Sequence, residues 1–341
     1  MIEQHWPAFD LSFMNIGIFR ALKLGDFLCA TPAIRCIKEN FPHAKIYLIG
    51  LPAMQELCKR YAYVDEYIVF PGYPGLPEQE PPADISCFME QVRALSFDLL
   101  LQMHGDGTIV NDLLRCFEAK RLVGFCPRRD QEDGNWLYYP KGIHEIYKHL
   151  ELLKAIGLKV DRTATDMDFP LFKHDQIKFK QWKTRFQIEN YVVVHVGSSS
   201  VDRQWPLENF LFLAAYLINN HYQMVLTGVR SERERTEQLD SLLDGYSINM
   251  AGHTDLGLLG SIIKHASLVI SNCTGTSHIA AATKTKSIVI SLDGEPERWA
   301  PLNHDLHITY DATRPLQLET IKNDMSKLLA VAADRSGSNG S

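Results

Sequence analysis

The chain has 341 residues, 45% of them hydrophobic, a formal net charge of −6 and seven cysteines. That length allows two domains with separate cores, the negative charge argues against a nucleic-acid partner, and an odd number of cysteines with no C-x-x-C pair argues against a disulfide framework or a zinc site. No apolar run approaches the roughly 18 residues that would span a bilayer, and Met1–Pro7 lacks the basic and apolar regions of a signal peptide, so a cytoplasmic protein is expected.

Strand-length apolar segments occur at Ile16–Phe19, Ile46–Ile49, Tyr67–Phe70, Leu99–Leu101 and Leu122–Gly124, with helix-length amphipathic stretches between several of them. Behind the first come Leu24-Gly25-Asp26 and Thr31-Pro32, which predict a sharp turn at the glycine and a helix that starts or kinks at the proline. Asp26 then lies near a helix start beyond the carboxyl end of the first strand, where open α/β sheets bind ligands. Its plain alternative is a helix cap. Pro71–Pro82 reads as a long proline-rich loop, Lys120-Arg121 and Arg128-Arg129 as a solvated basic face, and 144–156 as a helix whose stripe of Ile146, Leu150 and Leu153 belongs to the core. The charged stretch 159–182 has no apolar period of its own. The expected division is an amino-terminal domain over 1–165, a connector at 166–182, a carboxy-terminal domain over 183–334 and a flexible tail at 335–341.

A second strand series follows at Tyr191–His195, Gln223–Thr227, Ser247–Met250, Leu268–Ile270 and Ser287–Ser291. Alternation with helices predicts a second parallel sheet, since parallel strands need long crossovers. After its first strand, the hydroxyls of Ser198 and Ser199 and the guanidinium of Arg203 suit an anion. His195 reads as a buried imidazole, and Trp205 as a packing anchor. After Leu268–Ile270, the run Ser271–His278 reads as strand, turn and helix start. Thr274-Gly275 presents first-turn N–H groups and the positive end of a helix dipole, and His278 adds a side-chain donor, which favours a diphosphate over a lone carboxylate; an ordinary helix cap is the plain alternative. The dinucleotide fingerprint G-x-G-x-x-G, the phosphate loop G-x-x-x-x-G-K-[ST] and the G-x-S-x-G elbow are absent. Asp166-Met167-Asp168 has the look of a D-x-D metal motif but falls in the connector, so it reads as a solvated acidic turn and no metal is expected.

Leu24-Gly25-Asp26 with Thr31-Pro32-Ala33-Ile34-Arg35, Gln102-Met103-His104-Gly105, Val123-Gly124-Phe125, His195–Gly197 with Arg203-Gln204-Trp205-Pro206, Leu226-Thr227-Gly228 before Glu232, and Ser271–Gly275 with His278 run in order through nearly the whole chain. Together they resemble glycosyltransferase family 9, the heptosyltransferase-like enzymes of bacterial lipopolysaccharide assembly. The resemblance implies a GT-B fold: two Rossmann-like, doubly wound parallel-sheet domains facing a central cleft, with the acceptor on the first and the nucleotide-sugar on the second. It also implies inverting transfer, without obligatory metal or cofactor, from a nucleoside diphosphate sugar to a hydroxyl of a lipopolysaccharide core or related surface glycan, with ADP-heptose as a candidate donor.

By position, Asp26 matches the family's base, and Ser198, Ser199, Arg203, Thr274, Gly275 and His278 its diphosphate contacts. Glu232 matches the ribose-side carboxylate, and Thr254 a neighbour of the nucleobase. The implied partners are the donor and a glycan or lipid-linked glycan acceptor, with transient peripheral contact at the inner face of the inner membrane. Two departures bear on donor and acceptor. Cys273 stands where the family usually has Asp, and His104–Thr108 lacks the basic residue that many relatives place just after the glycine. A nucleotide-sugar epimerase of the same fold and a non-catalytic nucleotide-sugar-binding scaffold are the rival readings.

Overall fold

The structure, a computed structural model, describes residues 15–336. Its contacts divide the chain between Met167 and Asp168. In the first unit, strands β1 (Asn15–Phe19), β2 (Lys45–Gly50), β3 (Glu66–Val69), β4 (Leu99–Gln102), β5 (Leu122–Cys126) and β6 (Trp136–Tyr138) form one parallel sheet in the order β3-β2-β1-β4-β5-β6. Helices α1 (Leu24–Asn40), α2 (Gln55–Cys58), α3 (Ser86–Ala94), α4 (Val110–Arg115) and α5 (Glu145–Ala155) accompany it.

The second unit repeats the scheme with β7 (Tyr191–His195), β8 (Gln223–Leu226), β9 (Ser247–Asn249), β10 (Leu268–Asn272), β11 (Ser287–Ser291) and β12 (His307–Asp311), all parallel, in the order β12-β11-β10-β7-β8-β9. Its helices are α6 (Lys173–Phe186), α7 (Leu207–Asn219), α8 (Arg233–Leu242), α9 (Leu256–Lys264), α10 (Gly275–Ala282), α11 (Pro296–Trp299) and α12 (Leu318–Ser336). Both sheets follow the doubly wound 3-2-1-4-5-6 plan, in which winding reverses between the first and fourth strands and opens a crevice at their carboxyl ends. In this chain those crevices lie past β1 and β4, and past β7 and β10.

Fully buried strands explain why the sheets were readable. β4, β7, β8, β10 and β11 carry Leu, Val and Ile runs, and Val192, Val194, Met224, Leu226, Leu268, Ile270, Ile288 and Ile290 pack with Leu213, Leu217, Ile321 and Met325 into one core. The first unit's cluster is more aromatic, joining Phe19, Phe70, Phe88, Phe97 and Phe117. Phe19 meets Phe70 edge-on at 5.0 Å, a favoured ring geometry.

Four expectations need adjusting. The edge strands β6 and β12 were not foreseen: β6 has three half-buried residues and β12 is half-buried over most of its length, so neither shows a clean apolar run. α6 occupies most of the stretch expected as a connector. Its apolar face is just Phe179 and Trp182, stacked on each other at 5.8 Å, with Phe179 also stacked on His265 at 4.4 Å, too sparse a stripe to show as a period. α1 begins at Leu24, ahead of Gly25, and runs straight through Pro32. A proline at that position removes the N–H that would reach the Leu28 carbonyl, and the Thr31 hydroxyl takes that carbonyl instead at 2.8 Å, so the helix continues. Lastly, Arg335 and Ser336 of the expected tail belong to α12, and residues 337–341, like Met1–Pro7, lie outside the described residues. Among the described residues no helix is long and apolar enough to cross a membrane.

Candidate functional site

Past β1, the turn Arg20–Lys23 delivers the chain into α1 and places Asp26 in its first turn. Its side chain is 27% exposed. Arg20 beside it is fully buried: Nε donates to the Asp26 carbonyl at 2.7 Å and Nη1 to the Met103 carbonyl at 2.5 Å, tying the ends of β1 and β4 to the start of α1. Nη2 stands 3.9 Å from Asp26 Oδ1 and 3.6 Å from Glu145 Oε1. Glu145, in the first turn of α5, accepts from Lys148 Nζ at 3.1 Å and from the Tyr139 hydroxyl at 3.3 Å through Oε2. His104, just past β4, is driven down to about 4 by burial, helped by the Arg20 charge, so it is a neutral imidazole near pH 7.

Two motifs quoted separately from the sequence are one physical unit. Gln102 Nε2 donates to the His104 carbonyl at 2.9 Å, and Gln102 Oε1 accepts from the Phe125 N–H at 3.3 Å. A Cβ on Gly124 would lie 2.4 Å from the Gln102 Cβ, so glycine is required there by close approach.

In the second unit the loop past β7 is clamped at both ends. Asn272, the last residue of β10, donates to the carbonyls of Val196 and Gly197 at 2.9 and 3.1 Å and accepts from the Trp205 N–H at 3.1 Å. Arg235 of α8 donates to the carbonyls of Val196 at 3.1 Å and Trp205 at 2.6 Å. Trp205 is itself buried edge-on against Phe210. Between the clamps, Ser199 and Arg203 are exposed and Ser198 half-buried, and Arg203 Nη2 meets Ser199 Oγ at 3.2 Å.

Past β10, Thr274 is the N-cap of α10. Ser277 Oγ accepts from the Thr274 N–H and donates to its carbonyl, at 3.3 and 2.7 Å. Gly275 and Thr276 are the first two helical residues, so their N–H groups have no intrahelical carbonyl to reach. The Thr274 hydroxyl is buried without a hydrogen-bond partner. His278 packs edge-on to Trp299 at 6.3 Å. Cys273, next to this turn, is a neutral thiol: burial, with Asp293 adding to it, pushes its ionisation up to about 12 against the opposing Arg203 charge. Past β8, the Glu232 carboxylate lies over Gly197 and accepts from the Val229 N–H at 2.8 Å. It stands 3.9 Å from His195 Nε2, while His195 Nδ1 meets the Thr227 hydroxyl at 3.2 Å. Burial lowers the His195 ionisation more than Glu232 raises it, so this ring too is neutral. Thr254 follows the outer strand β9 and precedes Asp255, the N-cap of α9.

Ser198, Arg203, Glu232, Thr274, Gly275 and His278 thus share the carboxyl edge of one sheet, Thr254 sits at the outer strand of that edge, and Asp26 occupies the matching edge of the other sheet. Sequence reasoning had given no part to Arg20, Glu145, Asn272 or Arg235. A charged residue abutting an apolar strand run, as Arg20 abuts Ile16–Phe19, was the one visible sign.

Residues 86–328 match the sequence profile of glycosyltransferase family 9 (heptosyltransferase). Lipopolysaccharide heptosyltransferase 3 of Escherichia coli K12 is 26% identical over 305 residues, 83% of either chain. A family 9 glycosyl transferase from Veillonella parvula superposes with a TM-score of 0.76 at 16% identity, covering 94% of this chain and 93% of that one. The E. coli ADP-heptose lipopolysaccharide heptosyltransferase II superposes with a TM-score of 0.74 at 17% identity, covering 94% and 100%.

Proposed function

The chain belongs to glycosyltransferase family 9, and on that footing we propose that it transfers heptose, with inversion, from ADP-heptose to a hydroxyl of a lipopolysaccharide core. Asp26 is the base. Direct displacement needs the acceptor oxygen to shed its proton as it attacks the anomeric carbon on the face opposite the diphosphate. A carboxylate at a carboxyl edge, partly exposed and 3.9 Å from a buried guanidinium, has the means to accept that proton. The leaving diphosphate develops charge as the bond breaks, and Arg203, the hydroxyls of Ser198 and Ser199, the N–H groups of Gly275 and Thr276, and His278 are the groups that receive it. Glu232 accepts from the ribose hydroxyls and Thr254 lies beside the adenine. The acceptor is lipid-linked, so the enzyme works in transient contact with the cytoplasmic face of the inner membrane.

The observation that carries this reading is the turn at Thr274–Gly275: a topological switch point, unreached first-turn N–H groups and a buried hydroxyl with no protein partner converge there. The test is incubation with ADP-heptose and heptose-deficient lipopolysaccharide. Heptose incorporation with release of ADP is expected, and Asp26→Asn lowers kcat by roughly 100-fold or more with ADP affinity nearly kept. Conversion of ADP-heptose to an isomer without acceptor would mean an epimerase. Near-normal turnover in Asp26→Asn would remove Asp26 from its role.

A further inference from the structure

We propose that Arg20 is a positioning residue for Asp26 and that Glu145 holds it there, an inference that rests on Asp26 being the base. Arg20 has no solvent contact, and a fully desolvated guanidinium is costly to keep when packed apolar groups can serve a core as well. Two of its three nitrogens face Asp26. Nε fixes the Asp26 carbonyl, Nη1 fixes the neighbouring strand end at Met103, and Nη2 lies between the carboxylates of Asp26 and Glu145. Glu145 is pinned on its far side by Lys148 and Tyr139, and Glu145, Lys148 and His149 are each almost fully buried.

The result is a row of alternating charges, Lys148, Glu145, Arg20 and Asp26, in which Asp26 alone reaches solvent appreciably. The titratable groups facing the guanidinium are Asp26 from α1, Glu145 from α5 and His104 from the end of β4, and behind Glu145 stand Lys148 and His149 of α5 and Tyr139 just past β6. Arg20 therefore does two things for Asp26. It sets where the carboxylate sits through the backbone, and it supplies a fixed positive charge that favours the ionised form. Glu145 shares that charge and so limits it.

The test follows the Asp26 carboxyl carbon by NMR in the free protein as pH is varied, with Asp26→Asn for assignment. Arg20→Gln, which keeps one amide donor but no charge, moves the Asp26 midpoint upward by about one pH unit or more. Arg20→Lys, which keeps the charge, restores it towards wild type. Glu145→Gln moves it downward, because Arg20 is then shared with one carboxylate fewer. In the transfer assay both Arg20 variants lose about ten-fold or more in kcat, through position or charge, with ADP affinity unchanged. An unmoved midpoint in folded Arg20→Gln overturns the inference, as does a rise in Glu145→Gln, which stands even if Arg20→Gln does not fold. The titration needs no turnover, whereas the base reading falls only if Asp26→Asn stays active, so the two failures are distinct.

Discussion

Replacing Gly197 by alanine puts a methyl group where the Glu232 carboxylate now lies. An added Cβ would come within 2.1 Å of Glu232 Cδ and Oε1 and 2.5 Å of Oε2, far inside van der Waals contact. Gly197 is not among the residues with positive φ, so the backbone accepts alanine and the whole cost falls on Glu232. That side chain is flexible and can swing, but it then gives up the Val229 N–H bond. Loss of one charge-assisted bond at a largely buried carboxylate costs about 1–2 kcal/mol of stability. If the same carboxylate receives the ribose hydroxyls, donor binding loses a further ~1.5–3 kcal/mol, roughly 10- to 150-fold in ADP affinity by titration calorimetry. In a Glu232→Ala background there is nothing left to displace, so Gly197→Ala should cost under about 0.5 kcal/mol there. Additive costs, or wild-type ADP affinity in the single variant, would refute this account of the pair.

Arg203→Ala should weaken ADP binding by about five-fold at low salt, the modest figure expected of an exposed cation, and the deficit should shrink as salt rises, which calorimetry at two ionic strengths would check. Asn272→Ala leaves the Gly197 carbonyl and the Trp205 N–H without their side-chain partner and the Val196 carbonyl with Arg235 alone; an unfolding loss of about 2–4 kcal/mol in urea is expected, together with weaker ADP binding as the 196–205 loop loosens. His104 and His307 are both driven by burial from 6.5 to about 4 in the folded chain. A folded-state value below the unfolded one means the unfolded chain takes up the proton first, so stability holds above about pH 6.5 and declines as pH falls towards 4. His307→Asn should flatten that decline in denaturation midpoints at pH 7 and 5.

Much of the fold is legible because each sheet is covered on both faces: buried parallel strands write continuous runs such as Leu99–Leu101 and Tyr191–Val194, and turn residues bracket them. The legible part of the candidate site has the same origin, since Asp26, Ser198 and Thr274 each follow such a run. What escaped is set by distance along the chain. Arg20 and Glu145 lie at opposite ends of the first unit and Asn272 is 76 residues from Val196 in the second, and nothing local records either pairing. Gly25 misled for a physical reason: the turn it was expected to make is made by Arg20–Lys23, and the Thr31 hydroxyl hides the interruption that Pro32 would otherwise announce.

The two unforeseen border strands have a further consequence. A sheet's outermost strand carries a row of unused peptide groups onto which another polypeptide can zip. Here β6 and β9 offer only three residues each, and β3 starts with Glu66, ion-paired across to Lys45 of β2. β12 ends at Asp311, whose carboxylate is turned onto Thr313. Stubby or charged rims of this kind make poor templates, so the chain should stay dispersed at concentrations where a flat, apolar rim would seed fibrils.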